Sequence, residues 1–475
     1  MDKSSKNLAR KRKRHKNLIP LLCLIVCVVV FTISLFIEDL EAEVEGSGHD
    51  SLYTASKSQV SGSPDSMRSP QVGETPSRPR KQSTSTKAVP EHRQSESTFD
   101  SQIKAPFHVP YPFRVYVYDD VVSTLNADLQ GRDSCYTPYT AAEMVIPDLV
   151  SRSSIYTTDG ELADYYIVPV QCECYMTTKI QKGVDFSRAA AALNKAFQTT
   201  LDIVQSRYPY WTRTEGRDHI FIFPSERGAQ ILSDYNMQRI KKSIFLTGTI
   251  SRSNTRFNPW KDIVIPPARG PWTSAKEALP ALLHAADPMA PSRTTMLHFR
   301  GILPGHHDLN PWGIRETLAK NLRREEQVVF EEPTEKCGRN CTRREMLQAR
   351  FCLCPTGGVE GWSLRIFDAV MLGCVPVLVA DDVELPYEAG IDYSRFSVKI
   401  LERKAAETAE EIRSIGNSAH SRKEDALRLT KQHFVWHEEW VENDAFDMLL
   451  KELLRRVRFM RNSPYRFWSM PVPTG

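Results

Sequence analysis

The chain has 475 residues with a hydrophobic share of 41% and a net charge of only +4, which allows a sizeable core and more than one domain. The positive charge is concentrated at the start, where residues 3 to 16 carry eight Lys or Arg. A membrane run follows that cluster directly, which argues against nucleic acid as its partner.

That run is Leu18 to Ile37, 20 residues without a charge, about 30 Å as a helix and enough to cross a bilayer core. Glu38, Asp39, Glu41, Glu43 and Glu45 come next. Basic before and acidic after predicts residues 1–17 as a cytosolic tail, 18–37 as a signal anchor and the remainder as lumenal. A cleaved signal peptide would have a shorter apolar run ending in small residues. Residues 38–105 turn rich in Ser, Thr, Pro, Lys and Gln. Such a segment buries too little apolar surface to offset its ordering entropy and is expected to be a disordered stem.

Order is expected from residue 106. Short apolar runs read as buried strands at 113–119, 164–170, 219–224, 262–267, 295–301, 350–355 and 374–380. Helical stretches such as 186–205 separate them, so the class is α/β with mainly parallel sheets. Two doubly wound, Rossmann-like domains suit the length, 106–290 and 291–460, divided at the turn-rich Asp287–Arg293. Residues 461–475 form a tail. Eight cysteines lie outside the anchor, and a lumenal setting favours disulfides whose pairing the sequence leaves open. Asn340-Cys341-Thr342 is a glycosylation sequon.

The stretch 352–387 carries the chemistry. A strand ends at Pro355, and Gly357, Gly358 and Gly361 permit close backbone approach in the loop that follows. Ser363 is a suitable N-cap for a helix over Leu364–Leu372. A helix N-terminus attracts phosphate, and Arg365 in its first turn offers a guanidinium fork. Asp368, one turn on, is placed to accept ribose hydroxyls. Together they suit a nucleotide diphosphate. A surface ion pair between Arg365 and Asp368 is the plainer alternative. The loop matches neither the P-loop nor the dinucleotide glycine pattern.

Across these residues the chain resembles the exostosin glycosyltransferases, especially the plant and algal members that build wall polysaccharides. "ELADYYIVPV", "RYPYWTRTEGRDHIFIFP", "KDIVIPP", "FRG", "GIR" and "FCLCPTGG…SLRIFDAVMLGCVPVLVADDVELPYE" occur in family order between Phe113 and Leu454. The resemblance implies a GT-B fold, with the acceptor-side domain first and the nucleotide-sugar domain second. It also implies inversion at the anomeric carbon and a type II Golgi anchor. Ser363 and Arg365 would hold the diphosphate, Asp368 the ribose, and Arg300 and Arg315 would lie near the phosphates. Ser225-Glu226 stands where the family more often has His-Asp.

The expected activity is transfer of a sugar from a nucleotide-diphosphate sugar, taken as a UDP-sugar, to a polysaccharide or glycoprotein glycan in the Golgi lumen. Such a transfer needs a base and positive charge at the leaving diphosphate. Asp218 and His219 are the candidate catalytic pair, with a structural role as the alternative. No two aspartates are separated by a single residue, so neither a metal nor another cofactor is expected. A sulfotransferase would need a phosphosulfate loop that "YVYDDVVSTL" does not supply. The rival from another class is a silent subunit that escorts a partner glycosyltransferase. Expected partners are the nucleotide sugar, a glycan acceptor, the membrane, and homo- or hetero-oligomers with other glycosyltransferases.

Overall fold

The computed structural model describes residues 106–121, 129, 133–225, 227–248, 250–269, 293–302, 313–356 and 364–462. All belong to one compact unit, Ser95–Gly475. The expected anchor (18–37) and stem lie outside the described residues, and no helix among those described is long and apolar enough to cross a membrane.

The first half contains β1 (Val115–Val117), α1 (Ala142–Arg152), β2 (Tyr165–Ile167), α2 (Cys172–Gln181), α3 (Phe186–Arg207), α4 (Tyr210–Thr214), β3 (His219–Phe223), α5 (Asp234–Ile240), β4 (Ile244–Thr247), β5 (Ile250–Ser251) and β6 (Ile263–Val264). The long helix α3 starts where Asp185 accepts a hydrogen bond from the Arg188 N–H, and it buries Leu193, Phe197, Leu201 and Val204. Spacings of four, four and three residues give a single apolar stripe. The sheet is parallel and runs β1-β2-β3-β4-β6. Both faces are covered: Ile220 and Ile222 point into one core, Phe221 and Phe223 into another.

The second half contains β7 (Thr295–Arg300), α6 (Ile314–Leu322), β8 (Val328–Glu331), α7 (Arg339–Leu347), β9 (Ala349–Pro355), α8 (Leu364–Met371), β10 (Val375–Val379), β11 (Val383–Glu384), β12 (Val398–Lys399), α9 (Thr408–Ser414), α10 (Asn417–Thr430) and α11 (Ala445–Asn462). Its sheet is also parallel, in the order β12-β10-β9-β7-β8. The chain leaves β7 toward β8 and then crosses back to β9. This reversal is a topological switch point, where ligands of open α/β sheets bind beyond the strand carboxyl ends.

The α/β class with two parallel sheets agrees with expectation. The doubly wound description fits only the second sheet, because the described strands of the first follow in chain order without a reversal. The helix α11 also returns to the first half. Tyr165 Oη donates to Leu453 O at 2.7 Å, and Arg456 Nη2 donates to Asp262 O at 2.9 Å.

The carboxyl edges of the two sheets face each other. β5, just past β4, pairs antiparallel with β11, just past β10. Arg252 beside it donates to Glu384 at 2.6 Å and Glu388 at 2.8 Å. Disulfides join Cys135–Cys174, Cys337–Cys341 and Cys352–Cys374, while Cys172 and Cys354 are buried thiols. Asn340 is exposed, and Cys341 of its sequon is bridged.

Candidate functional site

The carboxyl ends of β7 and β9 flank the switch point, and Arg365 lies across them. Its guanidinium sits over the Phe299 ring, 4.5 Å from the centroid, and Nη2 donates to Arg300 O at 3.0 Å. Gly301 makes this approach possible, since a Cβ there would stand 2.5 Å from Arg365 Nη2. Burial lowers the Arg365 pKa, against a pull upward from Cys354 and Asp368.

Arg315, in the first turn of α6, clips the same two strand ends. Its Nε donates to Thr356 O at 3.2 Å and its Nη1 to Ile302 O at 3.0 Å. Burial and the neighbouring Arg365 charge hold it down at about 10, so it stays cationic at neutral pH. Among the described residues no carboxylate pairs with it. Two cations, Arg315 and Arg365, thus converge on one strand edge.

Arg300 is placed differently from its expected phosphate-binding role. Its guanidinium donates twice to Glu345, at 2.9 Å each, once to Glu331 at 2.8 Å and once to Glu332 O at 2.7 Å. His298, two residues earlier on the same face of β7, meets Glu345 at 2.9 Å. Arg300 therefore touches Arg365 through its backbone carbonyl and not through its charge.

Asp368 lies at the seam between the halves. Arg269, just beyond β6, donates to its Oδ1 at 2.5 Å, and Arg343 Nη2 stands 3.6 Å away. Arg269 is buried, and its Nε and Nη2 have no hydrogen-bond partner among the described residues. Asp368 is thus an ion-pair partner across the seam. Arg269 and Arg343 escaped the sequence reading because nothing local links them to Asp368.

Beside this edge lies a cavity of about 590 Å³, lined by Cys354, Pro355, Ile366, Leu378, Asp392 and Ser394 among others. Burial pushes the Cys354 thiol up to about 12, so it lines the cavity uncharged. Gly357, Gly358 and Ser363 lie outside the described residues.

Asp218 and His219 fall elsewhere. Asp218 Oδ1 meets His219 Nδ1 at 2.8 Å and accepts from Thr214 Oγ1 at 2.6 Å; His219 Nε2 meets Tyr118 Oη at 2.9 Å. The imidazole is fully buried, stacks on Tyr166 and meets the edge of Trp211. His219 opens β3, about 13 Å before the strand's carboxyl end. That distance separates the pair from the seam, and its contacts are those of an aromatic core.

The Exostosin GT47 domain family matches residues 110–415. Among curated relatives, "Probable glucuronosyltransferase 47 A" of Physcomitrium patens is 26% identical over 358 residues, covering 72% of this chain and 75% of the relative. "Probable beta-1,4-xylosyltransferase IRX10" of Arabidopsis thaliana is 27% identical over 365 residues, covering 72% and 82%. Likeness to a solved glycosyltransferase from Rickettsia africae is slight, with a TM-score of 0.34 at 9% identity over 76% of this chain and 99% of that one. The family match spans most of both sheets and the switch point between them: the chain belongs to the exostosin GT47 family and is a glycosyltransferase.

Proposed function

We propose that the chain transfers a sugar from a UDP-sugar to a growing polysaccharide or glycoprotein glycan, with inversion at the anomeric carbon. The observation that carries this reading is Arg365 with Arg315 at the β7/β9 edge. Their charges stabilise the diphosphate as its bond to the sugar breaks. The adjoining cavity takes the nucleoside. Arg269, whose Nε and Nη2 find no partner among the described residues, offers further donors at the seam.

Charge supplied this way makes a divalent ion unnecessary. The adjacent aspartates that might bind one are turned to different partners. Asp381 accepts from Glu402 N, and Asp382 accepts from Ser251 Oγ and Ser253 N. Asp119 meets Tyr156 and Asp120 meets Tyr208.

The test is a panel of UDP-sugars with the intact chain in detergent, before and after chelation, with the product's anomeric configuration read by NMR. The relatives' names put UDP-glucuronate and UDP-xylose first. The expected result is transfer with inversion, unchanged by chelator. UDP binding without turnover would favour the escort subunit instead, and loss on chelation with rescue by manganese would overturn the metal-free mechanism.

The same reading puts the chain in the Golgi membrane as a single-pass type II protein anchored by residues 18–37. Intact chain should then resist carbonate extraction. A mature N-terminus beyond residue 37 would contradict the anchor.

A further inference from the structure

We propose that Glu173 is the base that deprotonates the acceptor hydroxyl, in a subsite completed by Gln171, Ser225 and Thr247. This rests on the glycosyl-transfer reading. All four residues stand at the carboxyl edge of the first sheet. Gln171 and Glu173 open α2 just beyond β2, Ser225 lies two residues past β3, and Thr247 ends β4. This is the edge that meets the second half through β5–β11 and Arg269–Asp368.

A covalent path leads from Glu173 toward the donor site. The Cys135–Cys174 disulfide fastens residues 133–141 beside Glu173. Tyr139 of that segment is close enough to Arg365 to influence its ionisation. The two carboxyl edges are in contact through β5–β11 and Arg269–Asp368.

The chemistry suits a base. Ser225 Oγ donates to Glu173 Oε1 at 2.5 Å, and both residues are buried. Glu143, also buried, is occupied otherwise: its two oxygens accept from Glu173 N and Cys174 N at 2.8 and 2.9 Å. It fixes the start of α2 and sets a second carboxylate against Glu173. Asp218 and His219, at the far end of β3, do not compete for the role.

An independent observation points to a hydroxyl ligand here. Gln171 Oε1 and Thr247 Oγ1 are buried and have no hydrogen-bond partner among the described residues. Orphaned buried polar atoms are rare and costly, and each calls for a missing partner. The turn carrying Ser225 lies against Thr247, since a Cβ on Gly228 would stand 3.1 Å from Thr247 Oγ1. A sugar presents the hydroxyls that such acceptors lack.

In the step itself, the acceptor O–H bond breaks and its proton passes to Glu173. The oxygen's electron pair forms the bond to the anomeric carbon. The bond from that carbon to the diphosphate oxygen breaks, and its electrons leave on the nucleoside diphosphate.

The experiment compares intact wild-type chain with Glu173→Gln, Gln171→Ala and Thr247→Val for kcat, acceptor KM, UDP affinity and melting temperature. Glu173→Gln should lower kcat by roughly 10²- to 10⁴-fold with UDP affinity unchanged. Gln171→Ala and Thr247→Val remove oxygens that find no hydrogen-bond partner among the described residues, so they should cost little stability and raise acceptor KM about fivefold. A folded Glu173→Gln chain that keeps kcat within about threefold of wild type overturns the assignment. If that variant does not fold, unchanged acceptor KM in the other two overturns it. Absence of transfer by wild type overturns the glycosyl-transfer reading and takes this assignment with it.

Discussion

Arg365→Ala should weaken UDP binding by roughly tenfold or more while leaving the fold intact. A charge-assisted hydrogen bond contributes about 1.5–3 kcal/mol, and 1.4 kcal/mol is a factor of ten in affinity. The residue qualifies because of where it is held. Phe299 supports the flat face of the guanidinium, and Arg300 O fixes one of its N–H groups at the β7 end. A fork held in place loses less entropy on meeting a phosphate than a free side chain does. Gly301→Ala should act in the same direction and less strongly, because the added Cβ displaces Nη2 from the same spot. Calorimetric titration with UDP checks both variants. Wild-type affinity in folded Arg365→Ala would remove the residue from the donor site.

Glu345→Ala should destabilise the second half by about 1.5–3 kcal/mol, the contribution of hydrogen bonds to charged groups, because Glu345 is itself part-exposed and Arg300 keeps Glu331. Glu345 joins His298 and Arg300, whose side chains are 0% and 5% exposed. Without it, a buried guanidinium loses two of its four hydrogen bonds. Burial pushes the Glu345 carboxyl up, but Arg300 and His298 together hold it below its ordinary value. Its folded pKa is thus depressed, so the stabilisation is present above the unfolded carboxyl's pKa. It is lost as the pH falls through the lower folded value. Denaturant unfolding should therefore show the largest gap between wild type and Glu345→Ala near neutral pH, shrinking in acid. A loss under about 1 kcal/mol at pH 7 would mean the cluster is solvated. Because Arg300 O also holds Arg365, UDP affinity should fall with stability in this variant.

The parts legible in the sequence share one property: their signal is local. The helix α8 follows from a strand, a glycine loop and a run of Ile366, Phe367 and Val370 on one side. Arg365 stands out there because a cation opposes the helix dipole. The long helix α3 shows its buried stripe in the same way. Five described strands were missed where the run is short, among them the two-residue β5 and β11. β4 has four residues directly after a helix and turn, β8 mixes Val and Phe with flanking Glu, and β12 has two residues.

The rest of the site depends on pairings that sequence order hides. Arg269 and Asp368 are 99 positions apart, and Glu173 and Ser225 are 52 apart. Asp218 and His219 show how a local signal can leave two roles open. Adjacent acid and imidazole in a family motif suggest catalysis, yet strand direction places them at the end away from the seam. Arg300 shows a further limit. An arginine at a strand's carboxyl end suggests phosphate binding, but Glu345, 45 positions on, takes its guanidinium.

The central claim is that the donor diphosphate binds where β7 and β9 diverge. A crystal structure of the chain with UDP tests it most directly. The diphosphate oxygens are predicted within hydrogen-bond distance of Arg365 and Arg315, with the uridine in the cavity beside Ile366 and Leu378. UDP bound elsewhere, with Arg365 still on Arg300 O and no phosphate beside it, would contradict the account.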